Sequence, residues 1–217
     1  MLIISQQPSN GRSVFVVGNG PSNDYMDWQD ARELIRRYRS RRHQPAEGRC
    51  DLLLMNQRAL EQRATYSVAI DHEPLLEYQE ARLTDRSIVL SHPPAPENKE
   101  SLRALRESPR YWQIPKLWGP LGSGPLAAWA MAALGYRRIY LYGMDGSMGP
   151  VTERKNMEQM QRWDTKLSHF LKFRRRSRYG REGDERRPQL WRIWPESCPW
   201  RTRPDPLSRV LTNTVSI

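Results

Sequence analysis

Short apolar runs rich in β-branched and aromatic residues alternate with amphipathic stretches along this chain. The runs predict strands, and the stretches with apolar residues at helical spacing predict helices. The predicted strands are residues 13–17, 51–55, 66–70, 87–90 and 138–142, with 191–194 as a last strand. The predicted helices are residues 28–38, 126–134 and 153–173. This alternation predicts an α/β fold, with a Rossmann-like, mainly parallel sheet flanked by helices.

The length of 217 residues suits one domain with a basic C-terminal extension. We expect the domain at residues 1–197, because the sequence from 198 to 217 is rich in proline, arginine and threonine. The N-terminal residues lack the basic and apolar segments of a secretory signal, and no apolar run reaches the ~20 residues of a membrane span. The two cysteines, Cys50 and Cys198, are too few for a disulfide framework or a zinc cage. These features predict a cytoplasmic protein.

The formal net charge is +11, and thirty of the 35 basic residues are arginine. Residues 172–192 carry nine basic and three acidic side chains, so about half of the net charge lies in that segment. Arginine binds phosphates with a fork of donors. A nucleic acid is therefore one candidate partner, and a solvated basic face is the alternative. The arginines that would contact it are Arg174, Arg175, Arg176 and Arg178.

Two glycine-containing turns are candidates for binding a phosphate through backbone amides. The first follows the first predicted strand and consists of Gly18, Asn19, Gly20, Pro21 and Ser22. The second, at Gly122, Ser123 and Gly124, opens an alanine-rich helix whose N-terminus presents unpaired N–H groups. We expect the two turns to grip one nucleotide phosphate from the same edge of the sheet. Ser22 is also a candidate cap for the following helix. A tight strand–helix turn without a ligand is the alternative for the first motif, and close packing of helix against sheet is the alternative for the second.

Polar side chains follow four other predicted strands. Asn56 comes after the second strand, and Asp145 comes after the strand at 138–142, where it is a candidate for a hydroxyl, a loop contact or Mg²⁺. Asp71 and His72 follow the predicted strand at 66–70, and His92 follows the one at 87–90. These three residues are candidates for a general base. A turn residue or a bystander histidine is the plainer interpretation of each.

The ordered motifs VFVVGNGPS, LLLMNQ, VAIDHEPL and GSGPLAAWAMAALGYRRIYLYGMD resemble the bacterial sialyltransferases that complete lipooligosaccharides, within a wider group of GNGPS-containing proteins. That group includes motility-associated glycosyltransferases and archaeal 6-hydroxymethylpterin diphosphokinase. The resemblance covers about residues 13–146. It implies a Rossmann-like domain, metal-independent sugar transfer from a CMP-sugar and frequent oligomers.

The resemblance also implies roles for individual residues. The Gly18–Ser22 loop and Asn56 would contact the nucleotide, and the turn at Gly122–Gly124 would contact a phosphate or sugar. Asp71 stands where those enzymes have an asparagine. Residues 147–156 contain neither the histidine base nor the tyrosines of the family's lid. The base would then be His72, His92 or Asp71, unless the reaction differs or activity is lost.

Three functions follow as hypotheses. The first is a glycosyltransferase that moves a sugar from a nucleotide donor to a hydroxyl of a glycan, a small molecule or a modified DNA base. The second is a diphosphokinase that uses ATP and Mg²⁺, with Asp145 as a metal ligand. The third is a binding protein that keeps the nucleotide site without turnover.

Overall fold

The computed structural model describes residues 13–34, 50–114, 123–136, 138–144, 189–194, 197 and 213–216. Within them, eight strands form one sheet in which every pairing is parallel. The strands are β1 Ser13–Val17, β2 Cys50–Met55, β3 Tyr66–Val68, β4 Ile88–Ser91, β5 Tyr111–Gln113, β6 Arg138–Tyr142, β7 Gln189–Trp194 and β8 Asn213–Ser216. Their order across the sheet is β5-β4-β3-β2-β1-β6-β7-β8. The predicted α/β, Rossmann-like fold is confirmed.

Helices cover both faces of this sheet. They are α1 at residues 28–34, α2 Arg58–Glu61, α3 His72–Glu80, α4 Arg103–Glu107 and α5 Ser123–Ala133. Successive side chains of a strand point to opposite faces, so Val14 and Val16 belong to the hydrophobic cluster under α5, whereas Phe15 and Val17 belong to the cluster under α1 to α4. The central strands β1, β2 and β6 therefore lie in the middle of a three-layered domain and are buried on both faces, as their continuous apolar runs predict.

The strand order reverses at one place, between β1 and β6. From β1 to β5 the chain moves across the sheet in one direction, and then α5 carries it back to place β6 on the other side of β1. In open α/β sheets, ligands bind outside the carboxyl ends of the strands at such a switch point. The loops that leave β1 and β6 are thus the first place to look for a site.

The ends of α5 and α1 show how local sequence positions these elements. After α5, Gly135 adopts a positive φ of 89°. Its N–H donates to Ala132 O and the N–H of Tyr136 donates to Met131 O, so the predicted glycine cap closes the helix. At the start of α1, the carboxylate of Asp27 accepts a hydrogen bond from the N–H of Gln29 at 2.6 Å. The prediction that Ser22 caps this helix is wrong, because Ser22 lies in a 3-10 turn at Pro21–Asp24 that ends before the helix begins.

The sheet extends beyond the predicted strands. Strand β5 lies in a short segment that we did not predict as a strand, and β8 lies within residues 198–217, the segment predicted as a tail, where it pairs with β7. The predicted helix at 153–173 lies outside the described residues. Among the residues that are described, no helix has the length and apolar character needed to cross a membrane.

Candidate functional site

Most of the described candidate site residues lie at the carboxyl edge of the sheet. Because the strands are parallel, the residues that follow β1, β2, β3, β4 and β6 all lie at this one edge. In spatial order, the residues after adjacent strands are His92, Asp71, Asn56, the Gly18–Ser22 loop and Gly143. The loops on either side of the switch point are those that contain Gly18 and Gly143.

These two loops pack backbone against backbone. The N–H of Gly18 donates to Tyr142 O at 2.8 Å, and the N–H of Gly20 donates to Gly143 O at 2.6 Å. A Cβ on Gly18 would clash with Gly143 O, and a Cβ on Gly143, whose φ is 63°, would lie 2.6 Å from Gly18 O. Both positions therefore require glycine, because the two loops approach more closely than any side chain allows.

The amide of Asn23 completes this junction. Its Nδ2 donates to Gly18 O at 2.9 Å and to Gly20 O at 2.8 Å. A Cβ on Gly143 would also lie 2.5 Å from this Nδ2, so the amide fills the space beside the turn after β6. Asn23 was missed in the sequence analysis. Its position three residues after Gly20, in a loop with polar residues that form local turns, is the signal that could have found it.

The junction corrects the expected mode of phosphate binding. The N–H groups of Gly18 and Gly20 already donate to carbonyls of the β6 end, so they do not form a free cradle for an anion. Gly18 instead allows the close packing of the two loops. The side chain that the loop does offer is that of Asn19, which is exposed. An exposed amide between two fixed glycines has a donor and an acceptor available to a ligand.

Asn56 has a similarly fixed backbone at the end of β2. Its φ is 49°, in the left-handed region that asparagine tolerates better than most residues. The hydroxyl of the fully buried Tyr78 donates to Asn56 O at 2.8 Å and lies 3.1 Å from Val68 O. Burial, and next the nearby Glu77, raise the pKa of Tyr78 well above its ordinary value, so this hydroxyl stays a donor. The Asn56 side-chain oxygen is buried and has no hydrogen-bond partner among the described residues.

The N-terminus of α5 lies at the same edge as the glycine loop. Helix α5 ends at Ala133, shortly before the parallel strand β6 begins at Arg138, so its C-terminus lies at the amino edge of the sheet and its N-terminus is directed towards the carboxyl edge. The first N–H groups of a helix have no partner within the helix, and the helix dipole favours an anion beside them. Ser123 and Gly124 lie in the first turn of α5, and Gly122 lies outside the described residues.

The three candidate bases differ in accessibility. Asp71 is exposed at the start of α3, and its carboxylate makes no capping hydrogen bond to that helix. His72 is half-buried, with Nε2 3.5 Å from Ser101 Oγ. His92 is only 7% exposed, and its Nδ1 lies 3.4 Å from Ile114 O. Asp71 is therefore the candidate whose functional group a substrate could reach directly.

Several predicted residues lie outside the described part of the chain, and their roles stay predictions. They are Gly122, Asp145, Arg174, Arg175, Arg176 and Arg178. Within the described residues, no group of three or more histidine, cysteine, aspartate or glutamate side chains is arranged to hold a metal ion.

Comparisons with protein-family models, with curated proteins and with solved structures find no match to this chain.

Proposed function

We propose that this protein is a nucleotide-sugar-dependent glycosyltransferase with a sialyltransferase-like fold. One observation carries the proposal: the exposed Asn19 and Asn56, at the end of β2, lie at the carboxyl edge beside the switch point of a parallel sheet, and the N-terminus of α5 is directed towards that edge. That is the position at which open α/β folds bind nucleotides. The motifs at these positions are also those that resemble the GNGPS-containing transferases.

Each element has a distinct role in donor binding. The Asn19 amide, at the outer surface of the β1 loop, hydrogen-bonds the nucleoside. Asn56 contacts the ribose or phosphate with its side chain. The hydrogen bond from Tyr78 to Asn56 O holds the backbone of Asn56 in place for this contact. The first turn of α5, at Ser123 and Gly124, faces the phosphate and stabilises the charge of the departing nucleotide. A CMP-sugar is the favoured donor because of the resemblance.

Asp71 is the proposed general base. It follows β3, two strands from β1, and adjacent strands are about 4.8 Å apart, so it lies roughly 10 Å across the edge from the β1 loop. A sugar attached to a nucleotide bound at that loop spans such a distance. The acceptor hydroxyl attacks the anomeric carbon and gives its proton to Asp71, while the bond from that carbon to the phosphate oxygen breaks and the nucleotide leaves with the electron pair.

A thermal-shift panel tests this function. The purified chain is heated with CMP, CDP, UDP, GDP or ATP, each with EDTA or with Mg²⁺. A ligand at a hundred times its Kd stabilises the folded state by about 2.7 kcal/mol, which raises the Tm of a chain of this size by roughly 5–10 °C. We expect CMP to raise the Tm in EDTA. No shift with any nucleotide, or a shift with ATP alone that requires Mg²⁺, would overturn the proposal.

Turnover separates the transferase from a binding protein. The chain is incubated in EDTA with a CMP-sugar, and release of CMP is followed by chromatography, with water or an added alcohol as acceptor. We expect release above the rate without protein. Binding of CMP with no release above that rate would identify a nucleotide-binding protein without catalysis.

A further inference from the structure

The side chain of Asn23 hydrogen-bonds the backbone on both sides of Asn19. Its Nδ2 donates to the carbonyl oxygens of Gly18 and Gly20, the residues immediately before and after Asn19. The backbone N–H of Asn23 also donates to Gly20 O at 3.1 Å. Three hydrogen bonds from one residue thus fix the peptide group before Asn19 and the peptide group after Gly20, while the Asn19 side chain remains exposed.

The orientation of the Asn23 amide shows which of its groups the loop requires. Its Oδ1 is buried and has no hydrogen-bond partner among the described residues. Leaving a buried acceptor unpaired is unfavourable, yet the opposite orientation would place Oδ1 against two carbonyl oxygens. The position therefore needs two donated hydrogen bonds, which a side-chain amide supplies and a carboxylate does not.

The same amide joins the loop to the other side of the switch point. A Cβ added to Gly143 would lie 2.5 Å from Nδ2 and 2.9 Å from Oδ1 of Asn23, too close for either contact. Gly143 in turn accepts the hydrogen bond from the N–H of Gly20. A change at Asn23 is thus transmitted to both loops that flank the candidate site.

We propose that Asn23 is a positioning residue, which holds the Gly18–Ser22 loop in the conformation that presents Asn19 to the nucleotide. This inference rests on the proposed function for the identity of the ligand. The hold on the loop itself is independent of any ligand.

Asn23→Asp is the sharpest variant, because it keeps the shape and replaces the donor by a carboxylate. At pH 8 the carboxylate would repel the carbonyl oxygens of Gly18 and Gly20, and we expect affinity for CMP to fall roughly tenfold or more, the loss of two hydrogen bonds. At pH 5 we expect a smaller loss, because protonation of a carboxyl beside two carbonyl oxygens restores a hydrogen-bond donor. Calorimetry measures the affinity of the variant and of the wild type for CMP at each pH. Their ratio cancels the effect of the titration of CMP itself, because that effect is the same for both proteins.

Asn98→Asp is the matched control, since it introduces the same charge in a 3-10 turn beyond β4, three strands from β1. We expect it to bind CMP as the wild type does at both pH values. An affinity ratio for Asn23→Asp that stays near one at pH 8 would overturn the positioning role.

Hydrogen exchange without ligand keeps the two proposals separable. At pH 8 we expect the amides of Gly18 and Gly20 to exchange faster in Asn23→Asp than in the wild type, with β2 and β3 unchanged. Unchanged exchange at both glycines would refute the inference even if CMP binds. If the wild type binds no nucleotide while exchange accelerates as expected, the proposed function fails and the hold of Asn23 on the loop stands.

Discussion

The N–H of Gly20 donates a hydrogen bond to the carbonyl oxygen of Gly143 at 2.6 Å, and this bond connects the two loops that flank the switch point of the sheet. It holds together segments that are more than a hundred residues apart in sequence. The residues at this contact are small because backbone meets backbone there.

Gly143→Ala is expected to destabilise the fold. Alanine at this position would keep an unfavourable positive φ, and its Cβ would lie 2.6 Å from Gly18 O. The backbone strain and the steric clash each cost about 1–3 kcal/mol. Urea unfolding measures the change. Gly20→Ala is the control, because φ at Gly20 is −66°, which any residue adopts. Equal stability of Gly143→Ala and the wild type would mean that the loops do not pack as described.

Asp71→Asn tests the proposed base. We expect the rate of donor cleavage to fall by roughly 10²–10⁴-fold, since an amide does not take the acceptor proton, while the affinity for CMP stays within about twofold. Glu73→Gln is the matched control, because Glu73 is an exposed carboxylate in the first turn of the same helix. If both variants lose the same activity, Asp71 is not the base.

The buried hydroxyls of Ser67 and Ser87 form a pair at 2.8 Å. Replacing one of them by alanine leaves the other without this partner, which costs about 1–3 kcal/mol of unfolding free energy. We expect the double variant to lose less than the sum of the single losses, because it removes both polar groups. A double-mutant cycle from urea unfolding measures the coupling. Strictly additive losses would show that the two hydroxyls do not interact.

Tyr136 makes stability sensitive to alkaline pH. It donates a hydrogen bond to Asp51, and burial, followed by this bond, raises its pKa well above its ordinary value of 10. The folded state keeps the proton while the unfolded state releases it, so the stabilisation is complete below pH 10 and is lost above it.

The slope for this one proton is about 1.4 kcal/mol per pH unit. We expect Tyr136→Phe to remove roughly that slope from the unfolding free energy between pH 10 and 11. Tyr25→Phe, at an exposed tyrosine, should leave the slope as it is. Identical pH profiles for Tyr136→Phe and the wild type would contradict the burial of this phenol.

Strands could be predicted where they are buried on both faces, because burial requires a continuous apolar run in the sequence. Apolar runs such as residues 13–17 and 138–142 become central strands because both faces of the sheet are covered. Strand β5 escaped prediction because three residues with one exposed side chain carry too little pattern, and β8 lies in a segment whose composition suggests a tail. The glycine cap of α5 was predictable because its cause is local.

The site was predictable in its place but not in its chemistry. The order of strands and helices puts the loops after β1 and β2 and the start of α5 at one edge. The commitment of the Gly18 and Gly20 N–H groups to the end of β6 was not predictable, because it depends on a contact with a distant part of the chain. Asn23 and Tyr78 were missed for the same reason, since each acts through backbone groups that only the fold brings near.

Calorimetric titration of CMP into the wild type, Asn19→Ala and Gln113→Ala tests the central claim most directly. Both variants remove an exposed amide at the carboxyl edge, but Gln113 ends β5, four strands from β1. The account predicts that Asn19→Ala weakens binding by about 1–3 kcal/mol, the cost of leaving polar partners unpaired, and that Gln113→Ala leaves the Kd unchanged. Equal affinity of Asn19→Ala and the wild type for CMP would contradict a nucleotide site at the loop after β1.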